Sequence, residues 1–126
     1  MPKKFEVCML IDDDPLDNFI NKKLIKKNNF VEKVIVCDEA QKALKSLSSG
    51  KAQPDIIFLD IKMPLMNGFS FLEEYDKLSI DKSDTKIYIL SMSLNPSEIE
   101  EAKRSKHVTS FLKKNLTAEM LMELSN

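Results

Sequence analysis

Short, almost continuously apolar segments alternate five times along the chain with longer segments whose apolar residues recur at helical spacing. The apolar segments are residues 5–11, 33–38, 55–59, 86–91 and 108–112. Strands that are apolar throughout are typical of parallel sheets covered on both faces, whereas half-exposed strands alternate between apolar and polar residues. The sequence therefore predicts an α/β fold in which helices wind doubly around a five-stranded parallel sheet.

The segment after the first strand predicts a helix that begins near residue 15. Asp14 can cap its first turn, and Pro15 suits the first helical position. Asn28, followed by a second asparagine, is expected to end it. The apolar positions that form one face at helical spacing are Leu16, Phe19, Ile20 and Leu24.

Capping residues mark the bounds of the other helices. Asp38 is expected to cap the second helix and Gly50 to end it. Asn95, with proline next and Glu98 three residues on, predicts a capping box for the fourth helix. Thr117 is expected to cap the fifth helix.

Length and composition indicate one compact domain that spans residues 1–126. The 19 Lys and Arg residues nearly balance the 20 Asp and Glu residues, so no surface for nucleic acid is expected. Cys8 and Cys37 lie inside apolar segments, where reduced thiols behave as small buried hydrophobes. The apolar part of the N-terminus, residues 7–11, is too short for a signal peptide or a membrane span. We therefore expect a cytoplasmic protein without membrane contact.

Polar side chains follow the carboxyl ends of the predicted strands. Asp12 and Asp13 follow the first strand, Asp60 the third, Ser91 ends the fourth, and Lys114 comes shortly after the fifth. Ligands of open parallel sheets bind beyond the carboxyl ends of the strands. We therefore expect three carboxylates, one hydroxyl and one ammonium group to meet at this edge.

Carboxylates this close together repel one another unless a cation lies among them. A hard dication with oxygen ligands is the natural solution, and Mg²⁺ is the usual one where phosphate is handled. With a metal and Lys114 both facing it, Asp60 can attack a phosphoryl group and hold it as an acyl phosphate. Ser91 is then placed to donate a hydrogen bond to a phosphate oxygen.

Four quoted segments carry a resemblance to a known family. The sequence contains "LIDDDP", "FLDIKMPLMNG", "ILS" and "FLKK" at the ends of the first, third, fourth and fifth strands. In this order, these motifs closely resemble the receiver domains of bacterial two-component response regulators over essentially the whole chain. The resemblance implies a flavodoxin-like (βα)5 fold with strand order 2-1-3-4-5.

The resemblance also implies roles for individual residues. Asp60 would accept the phosphoryl group, and Asp12, Asp13 and Asp60 would bind Mg²⁺ together with the backbone carbonyl of Lys62. Lys114 would pair with the phosphate. The switch residues would be Ser91, which moves toward the phosphoryl group, and Phe111, which swings inward with it.

The same resemblance implies partners. The donor would be a phosphohistidine on a sensor histidine kinase or a histidine phosphotransfer protein. A downstream protein would read the face formed by the fourth helix, the fifth strand and the fifth helix, whose accessible residues include Glu100, Glu101, Lys103 and Arg104. The chain would be a signalling domain that takes part in its own phosphorylation and dephosphorylation, not an enzyme with a separate substrate. It would be a stand-alone protein or part of a longer one.

One departure from the family pattern concerns the lysine. The family usually has proline after it, with a cis peptide bond between the two, but Asn115 follows Lys114 here. A cis bond costs roughly 2.5–4 kcal/mol before other residues, against about 0.5–1 kcal/mol before proline. We therefore expect a trans bond, with Lys113 as the alternative phosphate partner.

Two further departures flank the predicted site. Met92 follows the switch hydroxyl where the family has a small residue, and we expect it to hinder access to Asp60. Lys106 and His107 replace the usual Gly-Ala pair before the fifth strand. His107 is expected to be an exposed loop residue and not a catalytic base.

Three other functions are compatible with parts of the sequence. "DDD" after a strand also occurs in phosphatases of the haloacid dehalogenase type, but Pro15 and Leu16 do not suit that family and the chain has no room for its later motifs. A calcium-binding loop is the second possibility, but it would need glycine at its sixth position, and this sequence has none there. The main alternative is a pseudo-receiver, an interaction module with this fold that is not phosphorylated.

Overall fold

A computed structural model describes residues 5–63, 65–92 and 95–125. Pro64, which belongs to one of the motifs above, and the chain's last residue lie outside these ranges. The strands and helices alternate as the sequence predicts. In chain order they are β1 (Val7–Ile11), α1 (Pro15–Lys27), β2 (Lys33–Cys37), α2 (Ala40–Ser48), β3 (Ile56–Leu59), α3 (Gly68–Lys77), β4 (Lys86–Ser91), α4 (Pro96–Lys103), β5 (Val108–Lys113) and α5 (Ala118–Ser125).

The strands form one parallel sheet in the order β2-β1-β3-β4-β5. This confirms the predicted fold class and strand order. The register pairs Ile11 with both Cys37 and Leu59, so β1, β2 and β3 end side by side. Residues that follow these strands therefore share one edge of the sheet.

Alternate residues of each central strand supply two separate cores. On β1, Met9 and Ile11 pack with α2, α3 and α4, whereas Cys8 and Leu10 pack with α1 and α5. Full burial of an aliphatic side chain contributes about 1.5–3 kcal/mol, which explains why these strands are apolar on both faces. The edge strand β5 is only partly buried along its length.

The first helix begins where the sequence predicts, but a different face is buried. Asp14 caps it and accepts a hydrogen bond from the Leu16 backbone N–H at 2.9 Å. Phe19, on the apolar face, is 64% exposed, whereas Asn18 and Asn21 are buried on the sheet side. Of the four apolar positions at helical spacing, Leu24 is the one that packs against the core.

The predicted caps are confirmed at two helices and wrong at a third. Asn95 and Glu98 form the capping box of α4, and Thr117 accepts a hydrogen bond from the Met120 N–H at 3.1 Å in the first turn of α5. Asp38 does not cap α2. Its carboxylate instead pairs with Lys42 one turn along, and Glu39 occupies the cap position.

Gly68 begins α3 close to the strand end that carries Asp60. A Cβ atom at this position would lie 2.7 Å from the Ile61 Cα and 3.0 Å from the Asp60 backbone oxygen. Because both neighbours are backbone atoms, they cannot move aside without displacing the β3–α3 loop. The glycine is thus required for the close packing of this loop.

Gly68→Ala is expected to lower the free energy of unfolding by about 1–3 kcal/mol through this overpacking. In an open helix the same change would be neutral or stabilising. Urea unfolding followed by circular dichroism measures the difference. Lys77→Ala, at an exposed position of the same helix, is the control and should change stability by less than about 0.5 kcal/mol. Equal stability of the Gly68 variant and wild type would contradict the packing argument.

Candidate functional site

Asp12 lies directly after β1, and hydrogen bonds hold both its backbone and its carboxylate. Its backbone N–H donates to the Cys37 carbonyl at 3.1 Å, and its carbonyl accepts from the Asn18 side-chain amide at 2.7 Å. One carboxylate oxygen accepts from the Asp14 N–H at 3.0 Å. The other accepts from the Lys114 ammonium group at 2.7 Å. Asp12 is therefore buried, and its backbone polar groups and both carboxylate oxygens are hydrogen-bonded.

Asp60 follows β3 and faces Asp12. Its backbone N–H donates to the Ile11 carbonyl at 2.9 Å, which ties it to the end of β1. Its carboxylate accepts from the Lys62 N–H at 3.0 Å and from the Lys114 Nζ at 3.4 Å. Burial nevertheless raises the pKa of Asp60 to about 6, because the two hydrogen-bond donors offset only part of the loss of water and Asp12 adds a like charge.

Lys114 is the cation that the acidic residues share. Its side chain is 6% exposed, and its Nζ lies between Asp12 and Asp60. Burial alone would lower the pKa of Lys114, but hydrogen bonds to Asp12 and Asp17 and the charge of Asp60 raise it above its ordinary value. Lys113, the alternative from the sequence, is exposed.

The peptide bond between Lys114 and Asn115 is cis, so the expected trans bond was wrong. The expectation used only the preference for a trans peptide bond before residues other than proline. Tertiary contacts outweigh that preference here, because the Lys114 N–H donates to the Ser91 carbonyl at 2.8 Å while its side chain is held by carboxylates.

The structure brings Asp12, Asp13 and Asp60 together. Each offers a carboxylate oxygen, and these oxygens lie within 4.8 Å of one another. Oxygen ligands of this kind suit a hard dication such as Mg²⁺, which commonly binds through one or two carboxylates and keeps several waters. Lys114 offsets only part of the negative charge, so the residues fit a bound divalent cation.

The other predicted site residues lie in different environments. Ser91 ends β4 and is 1% exposed, and Phe111 on β5 is partly buried against the core under α4. Lys62 contributes its backbone N–H to Asp60, as described above. Met92 is 62% exposed.

Sequence reasoning missed two residues of α1 that touch the site. Asp17 accepts a hydrogen bond from the Lys114 Nζ at 3.0 Å. Asn18 holds the Asp12 carbonyl and is buried. The apolar spacing of α1 gave no sign of them, because it does not show which polar residues of the helix face the sheet.

His107 lies in the turn before β5, as the sequence predicts, but the expected exposure was wrong. Its side chain is 13% exposed, its Nε2 lies 2.8 Å from the Asp76 carboxylate, and its ring meets Tyr75 edge-on. This hydrogen bond also holds the pKa of Asp76 below its usual value. His107 thus joins the start of β5 to α3.

Comparison with protein families matches residues 8–126 to the family described as "Response regulator receiver domain". The chain belongs to this family. Solved structures agree with the assignment. A two-component response regulator from Cytophaga hutchinsonii is 31% identical with a TM-score of 0.85, covering 98% of this chain and 95% of that one. A response regulator receiver protein from Dyadobacter fermentans is 32% identical with a TM-score of 0.83, covering 94% of each chain.

One curated relative is a much longer protein than this chain. Protein-glutamate methylesterase/protein-glutamine glutaminase 3 of Burkholderia thailandensis is 40% identical over 70 residues, which are 56% of this chain and 19% of that protein. The match therefore spans about a fifth of the relative's length. Among the residues that the structure describes, we find no helix with the length and apolar character needed to cross a bilayer.

The raised pKa of Asp60 predicts a pH-dependent gain in stability for Asp60→Asn. Because the folded-state pKa of about 6 exceeds the usual 3.8, the folded protein binds more protons than the unfolded chain between these values. The Asp60 contribution to stability therefore falls as pH rises from about 4 to 6. With a chelator present, we expect Asp60→Asn to raise the free energy of unfolding by about 1–3 kcal/mol at pH 7.5, and much less at pH 4.5.

Urea unfolding of both proteins across this pH range measures the effect. Asp38→Asn removes the same charge from an exposed position and serves as the control. A gain that is equal at both pH values would contradict the assignment to Asp60 burial.

Proposed function

We propose that this receiver accepts a phosphoryl group on Asp60 in a Mg²⁺-dependent reaction. Receiver domains take phosphoryl groups from histidine kinases or phosphotransfer proteins and act on downstream effectors. The observation that carries the proposal for this chain is the cluster of Asp12, Asp13 and Asp60 with Lys114 Nζ among them. The whole chain would act as a single receiver domain.

Asp60 is the acid best suited to be the nucleophile. It lies opposite Asp12 at the end of a central strand, and the Lys62 N–H orients one of its oxygens. The other oxygen faces Lys114. Because the pKa is about 6, the carboxylate is the main form near neutral pH and is only weakly stabilised, which favours its reaction.

In the reaction, an Asp60 oxygen attacks the phosphorus of a phosphohistidine and forms the P–O bond of an acyl phosphate. The N–P bond breaks, its electron pair stays on the imidazole nitrogen, and that imidazole takes up a proton. Mg²⁺ held by Asp12, Asp13, Asp60 and the Lys62 carbonyl would offset the charge of the phosphoryl oxygens. Lys114 would pair with one of these oxygens as Asp60 loses its own charge.

The acyl phosphate would then act on the switch residues. It adds about −1.5 to −2 charge and strong hydrogen-bond acceptors. The buried Ser91 hydroxyl would donate to one of them. The backbone of Ser91 is already joined to Lys114 by the 2.8 Å hydrogen bond between β4 and the end of β5. A shift of Ser91 would therefore displace both elements together.

Phe111 would move into the space behind Ser91 and change the face formed by α4, β5 and α5. Phe111 is only partly buried, so an inward rotation of its ring would bury more of it. Glu100, Glu101 and Lys103 on α4 and Arg104 directly after it are exposed, as the sequence predicts. A downstream protein would read this face. The buried, unpaired thiols of Cys8 and Cys37 support the cytoplasmic location that this signalling role implies.

Acetyl phosphate with Mg²⁺ is expected to add one phosphoryl group to the wild-type chain, measured as intact mass. Chelation of Mg²⁺ should abolish the adduct, and so should Asp60→Asn, because it removes the nucleophile. Asp38→Asn, a control with the same charge change outside the cluster, should be modified like wild type.

A second donor makes a negative result decisive. If exposed Met92 hinders access of the small donor, phosphorylated histidine-containing proteins should still transfer the group. Failure with both donors would overturn the proposal in favour of a pseudo-receiver, an interaction module that is not phosphorylated.

A further inference from the structure

Asp17 shares the ammonium group of Lys114 with Asp12 and Asp60. Lys114 Nζ lies 2.7 Å from Asp12, 3.0 Å from Asp17 and 3.4 Å from Asp60. An ammonium group has three N–H donors, so these three carboxylates account for all of them. Asp60, the proposed phosphate acceptor, has the longest of the three contacts.

Asp17 is less buried than the other two carboxylates that contact Lys114. It lies in the first turn of α1, where the helix dipole favours a negative charge. Its side chain is 24% exposed, against 6% for Asp12 and 9% for Asp60. Asp17 can therefore return to water when Lys114 leaves it, whereas the two buried carboxylates cannot.

We propose that Asp17 is a positioning residue that holds Lys114 back from Asp60 until a phosphoryl group arrives. This inference rests on the proposed function and deepens it. In the unphosphorylated protein one N–H of Lys114 is directed at Asp17. A phosphoryl group on Asp60 brings new acceptor oxygens to the same ammonium, and Lys114 exchanges the Asp17 contact for one of them.

Because Asp17 lies on α1, the position of this helix affects how Lys114 is held. Asp17 and the exposed residues Phe19 and Ile20 belong to the same helix. A partner that shifts the first turn of α1 would change the distance between Asp17 and Lys114. The strength of this one ion pair thus sets how readily Lys114 moves to the phosphoryl group.

The test compares Asp17→Asn, Asp17→Glu and wild type in two measurements. The first is the rate of phosphorylation by acetyl phosphate at saturating Mg²⁺. We expect Asp17→Asn to react roughly two- to fivefold faster, the range that one partly exposed ion pair can supply. Asp17→Glu, which keeps the charge, should return the rate toward wild type.

Asp14→Asn is the matched control. It removes the same charge from the same turn, keeps the ability to cap α1, and its side chain bonds the helix N–H groups and not Lys114. Its rate should equal that of wild type. An equal acceleration in Asp14→Asn, or no acceleration in Asp17→Asn, would overturn the inference.

The second measurement does not depend on phosphorylation. Nuclear magnetic resonance reports exchange of the Lys114 ammonium hydrogens with water, with the signal assigned by its loss in Lys114→Arg. Exchange should be several-fold faster in Asp17→Asn than in wild type and Asp14→Asn, because a neutral amide oxygen holds the ammonium group more weakly than a carboxylate does. Unchanged exchange would overturn the inference. If no variant, wild type included, takes up phosphate, the proposed function fails, while the exchange rates still decide whether Asp17 holds Lys114.

Discussion

The carboxyl edge of the sheet gathers several negative charges around one ammonium group. Asp12 and Asp60 are buried, and Asp13 and Asp17 lie beside them, with Lys114 reaching Asp12, Asp17 and Asp60. Like charges at these distances are tolerated only with a cation among them. One lysine offsets part of this repulsion, and the remainder favours a divalent cation. The fit of the site to a divalent cation and the proposed chemistry depend on this excess of negative charge, whereas the pKa of Asp60 is raised mainly by burial.

The sheet fixes the site through its backbone. The Asp12 N–H donates to β2, the Asp60 N–H donates to β1, and the Lys114 N–H donates to the end of β4. Each of these residues therefore continues the hydrogen-bond pattern of its strand into a neighbouring strand. The carboxylates and the ammonium group are thus positioned by backbone hydrogen bonds between neighbouring strands, and Ser91 is joined to Lys114 by one of them.

Strand-end reasoning found the central residues because hydrophobic runs locate the ends of buried strands well. Asp12, Asp13 and Asp60 could be grouped on that basis alone, and the alternation of elements predicted the parallel sheet. Asp17 could not be found in this way, since its position depends on which face of α1 meets the sheet. That face carries Asn18 and Asn21 with Ile25, whereas Leu16, Phe19 and Ile20 of the apolar pattern are exposed.

Local rules also failed where tertiary contacts outweigh them, as at the cis bond after Lys114 and at the hydrogen bond of His107 with Asp76.

Chemical trapping of the acyl phosphate tests the central claim most directly. Borohydride reduces an aspartyl phosphate to homoserine, so peptide mass spectrometry of the phosphorylated and reduced protein locates the modified residue. The account predicts homoserine at position 60 only, and only after phosphorylation in the presence of Mg²⁺. Homoserine at position 12 or 13, or none at all in a protein that has gained a phosphoryl group, would contradict it.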